Sequence, residues 1–197
     1  MKVPEFLLSL SGGPDKPSAE YVEEVFNLLD VSRIKKRQVL LNIGDVADRI
    51  YVIKRGIIKA SIIDDKGALH SIRFISDGDV VSSMYSFVSQ TPSTLHLECV
   101  EAGEVRAFKH QDFEYLTQLY PGLLTTFYRI MMKRYHDSMD EKSRMISRDA
   151  TERYVKFMER YPSIAQRLPL KEVASFLGIR QQSLSRLRSK LDEEARR

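Results

Sequence analysis

The stretch that decides the fold is Arg49–Val81, RIYVIKRGIIKASIIDDKGALHSIRFISDGDVV. It breaks into short β-type runs: RIYVIKRG, IIKASII, ALHSIRFI and the end of SDGDVV. Asp64-Asp65-Lys66-Gly67 between two of them is a hairpin-turn signal. Gly44, Gly56, Gly67, Gly78 and Gly103 punctuate the region, the first four about every 11 residues. Short strands at regular spacing with turn residues between them point to a small β-barrel or sandwich. LHLECVEAGEVRAF, residues 95–108, adds two more strands.

Helical patterns flank this region. Residues 18–36 read as a helix, with Ser18 as a cap and an apolar face of Tyr21, Val25, Leu28 and Leu29. After Lys109 the period becomes helical again. HQDFEYLTQLY forms a short helix, and Pro121 opens a long one, as proline does at a first turn. Leu124, Phe127, Met131, Arg134, Ser138, Glu141 and Met145 follow a 3,4 rhythm, the pattern of a coiled-coil seam. Such a stripe is more often core than partner surface, but a barrel covers only one side of so long a helix, so Leu124, Phe127, Met131, Arg134 and Ser138 are expected at a homodimer interface. Asp149-Ala150-Thr151-Glu152 has the form of a capping box and begins a new helix, ATERYVKFMERY.

The C-terminal part reads as two short helices around a glycine. In PLKEVASFLG, Leu170, Val173, Ala174 and Leu177 share one face, and Gly178 suits a left-handed helix end. Ala174 is small where a second helix crosses. GIRQQSLSRLRSKL then places Leu184, Leu187 and Leu191 inward, and Gln182, Ser185, Arg186 and Ser189 on the opposite face. Gln181 flanks one edge of that face; Ser183 and Lys190 flank the other. Arginine and glutamine can each bond a base edge bidentately, and serines adapt to either. Arg180, Arg188 and Lys190 are placed for phosphates. Arg180 also stands where Ser, Thr, Asp or Asn would cap the helix, and a cation opposes the helix dipole there. A bound phosphate would offset both effects; tolerated surface variation explains the residue equally well.

Charge supports the division. From Lys142 onward there are 14 Lys/Arg and 7 Asp/Glu, a surplus of 7. The remaining 17 basic and 20 acidic residues leave the rest of the chain at −3. A basic tail on a near-neutral body suggests a polyanion partner. No apolar run is long enough to span a membrane, and the first residues lack the form of a secretory signal. The single cysteine, Cys99, excludes an intrachain disulfide and fits a cytoplasmic setting; it reads as a small core residue. His70, His96, His110 and His136 lack metal-ligand spacing, so no metal site or cofactor is expected. Asp64-Asp65 and Asp77/Asp79 sit at turn signals, where aspartate bonds its own backbone, so they do not suggest an enzyme.

The ordered set resembles the Crp/Fnr family of bacterial transcription regulators over nearly the whole length. DRIYVIKRGIIKASIIDDKG and FISDGDVV resemble the family's cyclic-nucleotide-binding barrel. The long helix resembles its dimerisation helix, RDATERYVKFMERYP its hinge, and LPLKEVASFLGIRQQSLSRLRSKL its helix-turn-helix. The resemblance implies an α+β chain. Residues 1–120 would form a sensor domain on a double-stranded β-helix (jelly-roll-like) barrel. Residues 121–148 would be a dimerisation helix and residues 149–197 an all-α DNA-binding domain. It implies double-stranded DNA with a palindromic operator, a second copy of the chain and RNA polymerase as partners.

Two departures qualify it. Nucleotide-binding members carry a Gly-Glu pair and then an Arg-Ser or Arg-Thr pair, the Glu on the ribose and the Arg on the phosphate. Here Ser82-Ser83 and Ser93-Thr94 stand in their places, and only Thr94 matches. A buried phosphate without its counter-charge is unfavourable, so the chain is expected to answer to an effector other than cyclic AMP or to be constitutively competent. The pocket would be formed by Ser82, Ser83, Ser93, Thr94, Arg134 and Ser138 around an effector of unassigned identity. Many members also end in a β-hairpin wing, whereas only DEEARR follows Leu191, too little for two strands. A second reading stays open: a ligand-sensing module that regulates a protein partner through its helical tail.

Overall fold

The computed structural model describes residues 18–27, 29–119, 121–145 and 149–195. The N-terminal helix α1, Ala19–Asn27, is shorter than its pattern suggests. Asp30–Ile34, expected as its continuation, is instead strand β1, paired antiparallel with Gly103–Ala107. Sheet pairing overrides local helical periodicity here. Arg106, buried in the opposite strand, donates Nη1–H to the Phe26 carbonyl at 2.6 Å and lies 4.4 Å over the Phe26 ring. That contact holds the end of α1 against the sheet. Leu28, Glu141 and Met145, counted on helix faces from sequence, fall outside the residues whose side chains are described.

The sheet continues with β2 (Val39–Leu41), β3 (Arg49–Ile63), β4 (Leu69–Ile75), β5 (Val80–Val81) and β6 (His96–Lys109), with short helix α2 (Met84–Ser89) between the last two. Its order is β1-β6-β3-β4; β2 pairs with β6 and β5 with β3. The expected turn between β3 and β4 is present. Asp64 Oδ1 accepts the Lys66 and Ala68 N–H groups at 2.9 and 2.8 Å.

Two glycines read from sequence as breaks between strands prove to lie inside strands. RIYVIKRG and IIKASII form one 15-residue strand, and LHLECVEAGEVRAF yields one 14-residue strand. Gly56 and Gly103 face each other where these strands pair. Gly56 has φ +117°, and a Cβ there would lie 2.9 Å from the Glu101 carbonyl oxygen. A Cβ on Gly103 would run into the Arg55 carbonyl. Register shifts cluster on both sides of Gly56. Glycine here permits a sharp bend in a paired strand.

Helices α3 (His110–Leu119) and α4 (Gly122–Met145) follow β6. Leu123, Thr126 and Ile130 of α4 are buried against the barrel side. The chain ends in α5 (Ala150–Arg160), α6 (Leu170–Phe176) and α7 (Gln181–Ala195). Asp149 caps α5, its Oδ1 accepting the Thr151 N–H at 3.1 Å. Gly178 takes φ +65° after α6, and the Ile179 N–H reaches back to the Ala174 carbonyl.

Two large apolar clusters result. The barrel core is mostly aliphatic and includes Ile53, Ile58, Ile75, Leu97 and Cys99, with Phe87 at one end. The second joins α5–α7 to three residues of the sheet, Ile57, Phe74 and Val100. Phe74 is its hub: its ring lies 6.3 Å from Phe157, 6.0 Å from Tyr161 and 5.4 Å from Phe176. Two of these contacts are edge-to-face, the favoured aromatic geometry. The helical unit therefore builds its core partly from the sheet.

Candidate functional site

Two places concentrate the residues singled out from sequence. The first is α7. Leu184 is fully buried, and Leu187 and Leu191 pack against the same cluster. These leucines fix the helix by one face. The opposite face is open: Gln181, Gln182, Ser183, Ser185, Arg186, Ser189 and Lys190 are all exposed. Arg180 is exposed just before the first turn, and Arg188 is half-buried. The Leu184 N–H bonds the Arg180 carbonyl at 3.1 Å, and the first turn of α7 holds no acidic residue. Among the described residues no carboxylate pairs with Arg180, Arg186 or Arg188. The face presents cations, amides and hydroxyls to solvent on a rigid support.

The second place is a pocket of about 430 Å³ beside β3, β4 and the β5–α2 corner, closed on one side by Ser138 of α4. Ile62, Ile75, Val81 and Leu97 make it largely apolar. Of the six expected pocket residues, the structure brings together Ser82 and Ser138. Ser82 donates Oγ–H to the Arg49 carbonyl at 2.7 Å, so its hydroxyl is engaged by the barrel wall. Ser83 is buried just ahead of α2. Ser93 is occupied in its own loop, its Oγ accepting the Leu95 N–H at 2.9 Å. Thr94 is exposed and the side chain of Arg134 lies outside the described residues. Ser71 and Arg73 of β4 also line the pocket, and sequence reasoning missed them. The strand pattern S-I-R-F-I was the available signal, since alternate residues of a strand share a face.

The expected seam residues of α4 divide. Phe127 packs against the barrel core and lines a cavity of about 50 Å³ with Phe26, Phe113 and Ile130. Met131 is half-buried, Ser138 lines the pocket and Leu124 is exposed. The barrel takes one face of the helix. Among the described residues of this helix, Leu124, Tyr128, Met132, Tyr135 and Met139 are apolar and left in solvent, at spacings that keep them on one stripe.

Cys99 is fully buried in the barrel core. Burial raises its thiol to about 11, and the charges of Glu101 and Glu98 push the same way. A thiol so protonated is a poor nucleophile at neutral pH. No group of three His, Cys, Asp or Glu that could hold a metal occurs among the described residues. No helix among them is long and apolar enough to cross a membrane.

Residues 31–120 match the family model of the cyclic nucleotide-binding domain. No curated protein matches the sequence. Several solved structures are similar across most of the chain. CLP, described as a c-di-GMP responsive global regulator of Xanthomonas campestris, shares 19% identity with a TM-score of 0.71, covering 90% of this chain and 93% of its own. FixK2 from Bradyrhizobium japonicum shares 16% with a TM-score of 0.72, over 85% of this chain and 86% of that one. The catabolite activator protein of Thermus thermophilus shares 16% with a TM-score of 0.58, over 96% and 88%. These neighbours are Crp/Fnr-type regulators, and at such identities the likeness establishes the fold.

Proposed function

We propose that the chain is a homodimeric, sequence-specific DNA-binding transcription regulator of the Crp/Fnr type. The observation that carries this reading is the outward face of α7. Gln182, Ser185, Arg186 and Ser189 stand exposed on a helix whose leucines lock it to α5 and α6. In this reading α6, the Gly178 turn and α7 form a helix-turn-helix, and α7 enters the major groove. Gln182 and Arg186 read base edges, with Ser185 and Ser189 beside them, while Arg180, Arg188 and Lys190 position the helix on phosphates. Residues 149–197 act as the DNA-binding domain and residues 1–120 as the sensor.

The exposed α4 stripe supplies the self-association surface. Leu124, Tyr128, Met132, Tyr135 and Met139 form the seam, and Phe127, already held by the barrel, does not. Two copies would present α7 helices to successive major grooves, roughly 34 Å apart on a palindromic site.

The barrel pocket takes an effector other than cyclic AMP. Its described cation, Arg73, enters from β4, whereas the loop with Ser93-Thr94 offers hydroxyls. An anionic group held as in nucleotide-binding members would meet no charge there. Calorimetric titration with cyclic AMP and cyclic GMP is expected to give no micromolar binding.

The test is selection of DNA from a random pool by the full chain, followed by affinity measurement at several salt concentrations. Affinity is expected to fall steeply with salt, and Arg186→Ala to relax specificity at one base position. If no sequence is enriched above background, the reading fails.

A further inference from the structure

Arg167 lies between α5 and α6, in the segment that links them. Its guanidinium forks onto Glu101 of β6, Nε to Oε2 at 3.0 Å and Nη2 to Oε1 at 2.7 Å. The remaining nitrogen, Nη1, reaches Asp77 Oδ2 at 3.0 Å. Asp77 Oδ1 in turn accepts the Gly56 N–H at 2.7 Å. Thus β6, the turn after β4 and the bend of β3 converge on one side chain of the helical unit. A second, smaller tie stands at another point of the same contact. Lys59 Nζ reaches Glu172 at 3.0 Å and Glu98 at 3.3 Å.

The turn that carries Asp77 is itself part of the sheet. The Gly78 N–H bonds the Ile53 carbonyl at 2.7 Å, and the Ile53 N–H bonds the Asp79 carbonyl at 2.8 Å. The next residues, Val80, Val81 and Ser82, are pocket wall. One turn therefore touches the pocket at one end and Arg167 at the other. Isolated exposed ion pairs contribute little. A planar fork shared by two carboxylates is different, because each bond fixes the orientation of the others.

We propose that Arg167 is a latch that fixes the DNA-reading unit on the barrel, and that the Ser76–Asp79 turn couples the latch to the pocket wall. The consequence for DNA rests on the function proposed above; the latch itself does not. Latched, α7 keeps its outward face open and its orientation set. Unlatched, the helical unit must be ordered during binding, which weakens affinity.

The experiment is hydrogen exchange on the full chain, wild type against Arg167→Gln. Exchange in Tyr161–Phe176 is expected to rise roughly tenfold, with Ile50–Ile53 unchanged. Asp77→Asn, which spares Glu101, is expected to show a smaller rise in the same segment. Exchange of the charges, Arg167→Glu with Glu101→Arg, is expected to restore part of the protection. Unchanged exchange in Tyr161–Phe176, or an equal rise in Ile50–Ile53, overturns the latch. On a selected DNA site, Arg167→Gln is expected to bind roughly 3- to 10-fold more weakly. Faster exchange with equal or tighter DNA binding overturns the orienting role. Because exchange is read without DNA, failure of the DNA-binding reading leaves the latch separately decided.

Discussion

The two apolar clusters are built on different chemistry, although they share three strands. Ile58, Ile75 and Leu97 serve a mostly aliphatic barrel core, while Ile57, Phe74 and Val100 serve an aromatic cluster with α5–α7. Neighbours in sequence such as Phe74 and Ile75 thus belong to different assemblies. The barrel core is closed by long antiparallel pairings that hold it regardless of any one side chain. The helical cluster has three short helices and grips the sheet through Ile57, Phe74 and Val100, with the Phe74 ring at its centre. Substitutions in the two clusters should therefore separate barrel stability from the attachment of the helical unit.

Phe74→Ala should have the largest effect. Loss of its three ring contacts is expected to destabilise by about 3–5 kcal/mol, read by denaturant unfolding. The loss should appear first as exposure of α5–α7, with the barrel following at higher denaturant. A single coincident transition of unchanged midpoint would remove the distinction between the clusters. Ile53→Val, confined to the barrel core, is expected to cost only about 0.5–1.5 kcal/mol.

Next is Arg186→Ala, which touches neither cluster. It is expected to weaken specific DNA binding by about 1–3 kcal/mol with the melting temperature unchanged. Equal affinity for every DNA sequence would remove Arg186 from base readout. Asp149→Ala removes only the α5 cap and should lower stability by about 1 kcal/mol. That change should act on the helical cluster and leave barrel-core exchange untouched.

The smallest effect is that of Cys99, seen only at alkaline pH. Its folded thiol titrates near 11, above the ordinary cysteine value, because burial disfavours the thiolate. The folded state therefore holds this proton more tightly than the unfolded one. Its contribution is intact below pH 9 and declines as pH rises towards 11. Cys99→Ala is expected to flatten that decline in a stability–pH profile, and native Cys99 should resist alkylation at pH 8.

Much of this architecture is legible in the residues. The Asp64–Gly67 turn, the Asp149 cap, the left-handed Gly178 and the leucine face of α7 are all local signals, and each appears where local chemistry places it. The strand Asp30–Ile34 was not legible, because its pairing partner lies about 70 residues away and nothing local announces it. Gly56 and Gly103 read as breaks because a glycine at a turn and one at a bend look alike in sequence. The apolar residues Ile57, Phe74 and Val100 were hidden for another reason. A strand buried on both sides reads as a continuous apolar run and does not say which side holds what. The same limit hid Ser71 and Arg73 from the pocket and the packing of Phe127 against the barrel core.

The shared cluster also has a consequence for biosynthesis. During synthesis from the N-terminus, residues 149–197 emerge after the strands of the barrel. Their core lacks Ile57, Phe74 and Val100 until β3, β4 and β6 have paired over long sequence distances, a slow class of event. The core that seats α7 is thus completed only on a finished barrel. A product with a misassembled sheet would expose Phe157, Tyr161 and Phe176 to chaperones and proteases instead of seating α7. Correct assembly of the sheet is in this way a condition for the maturation of the helical unit.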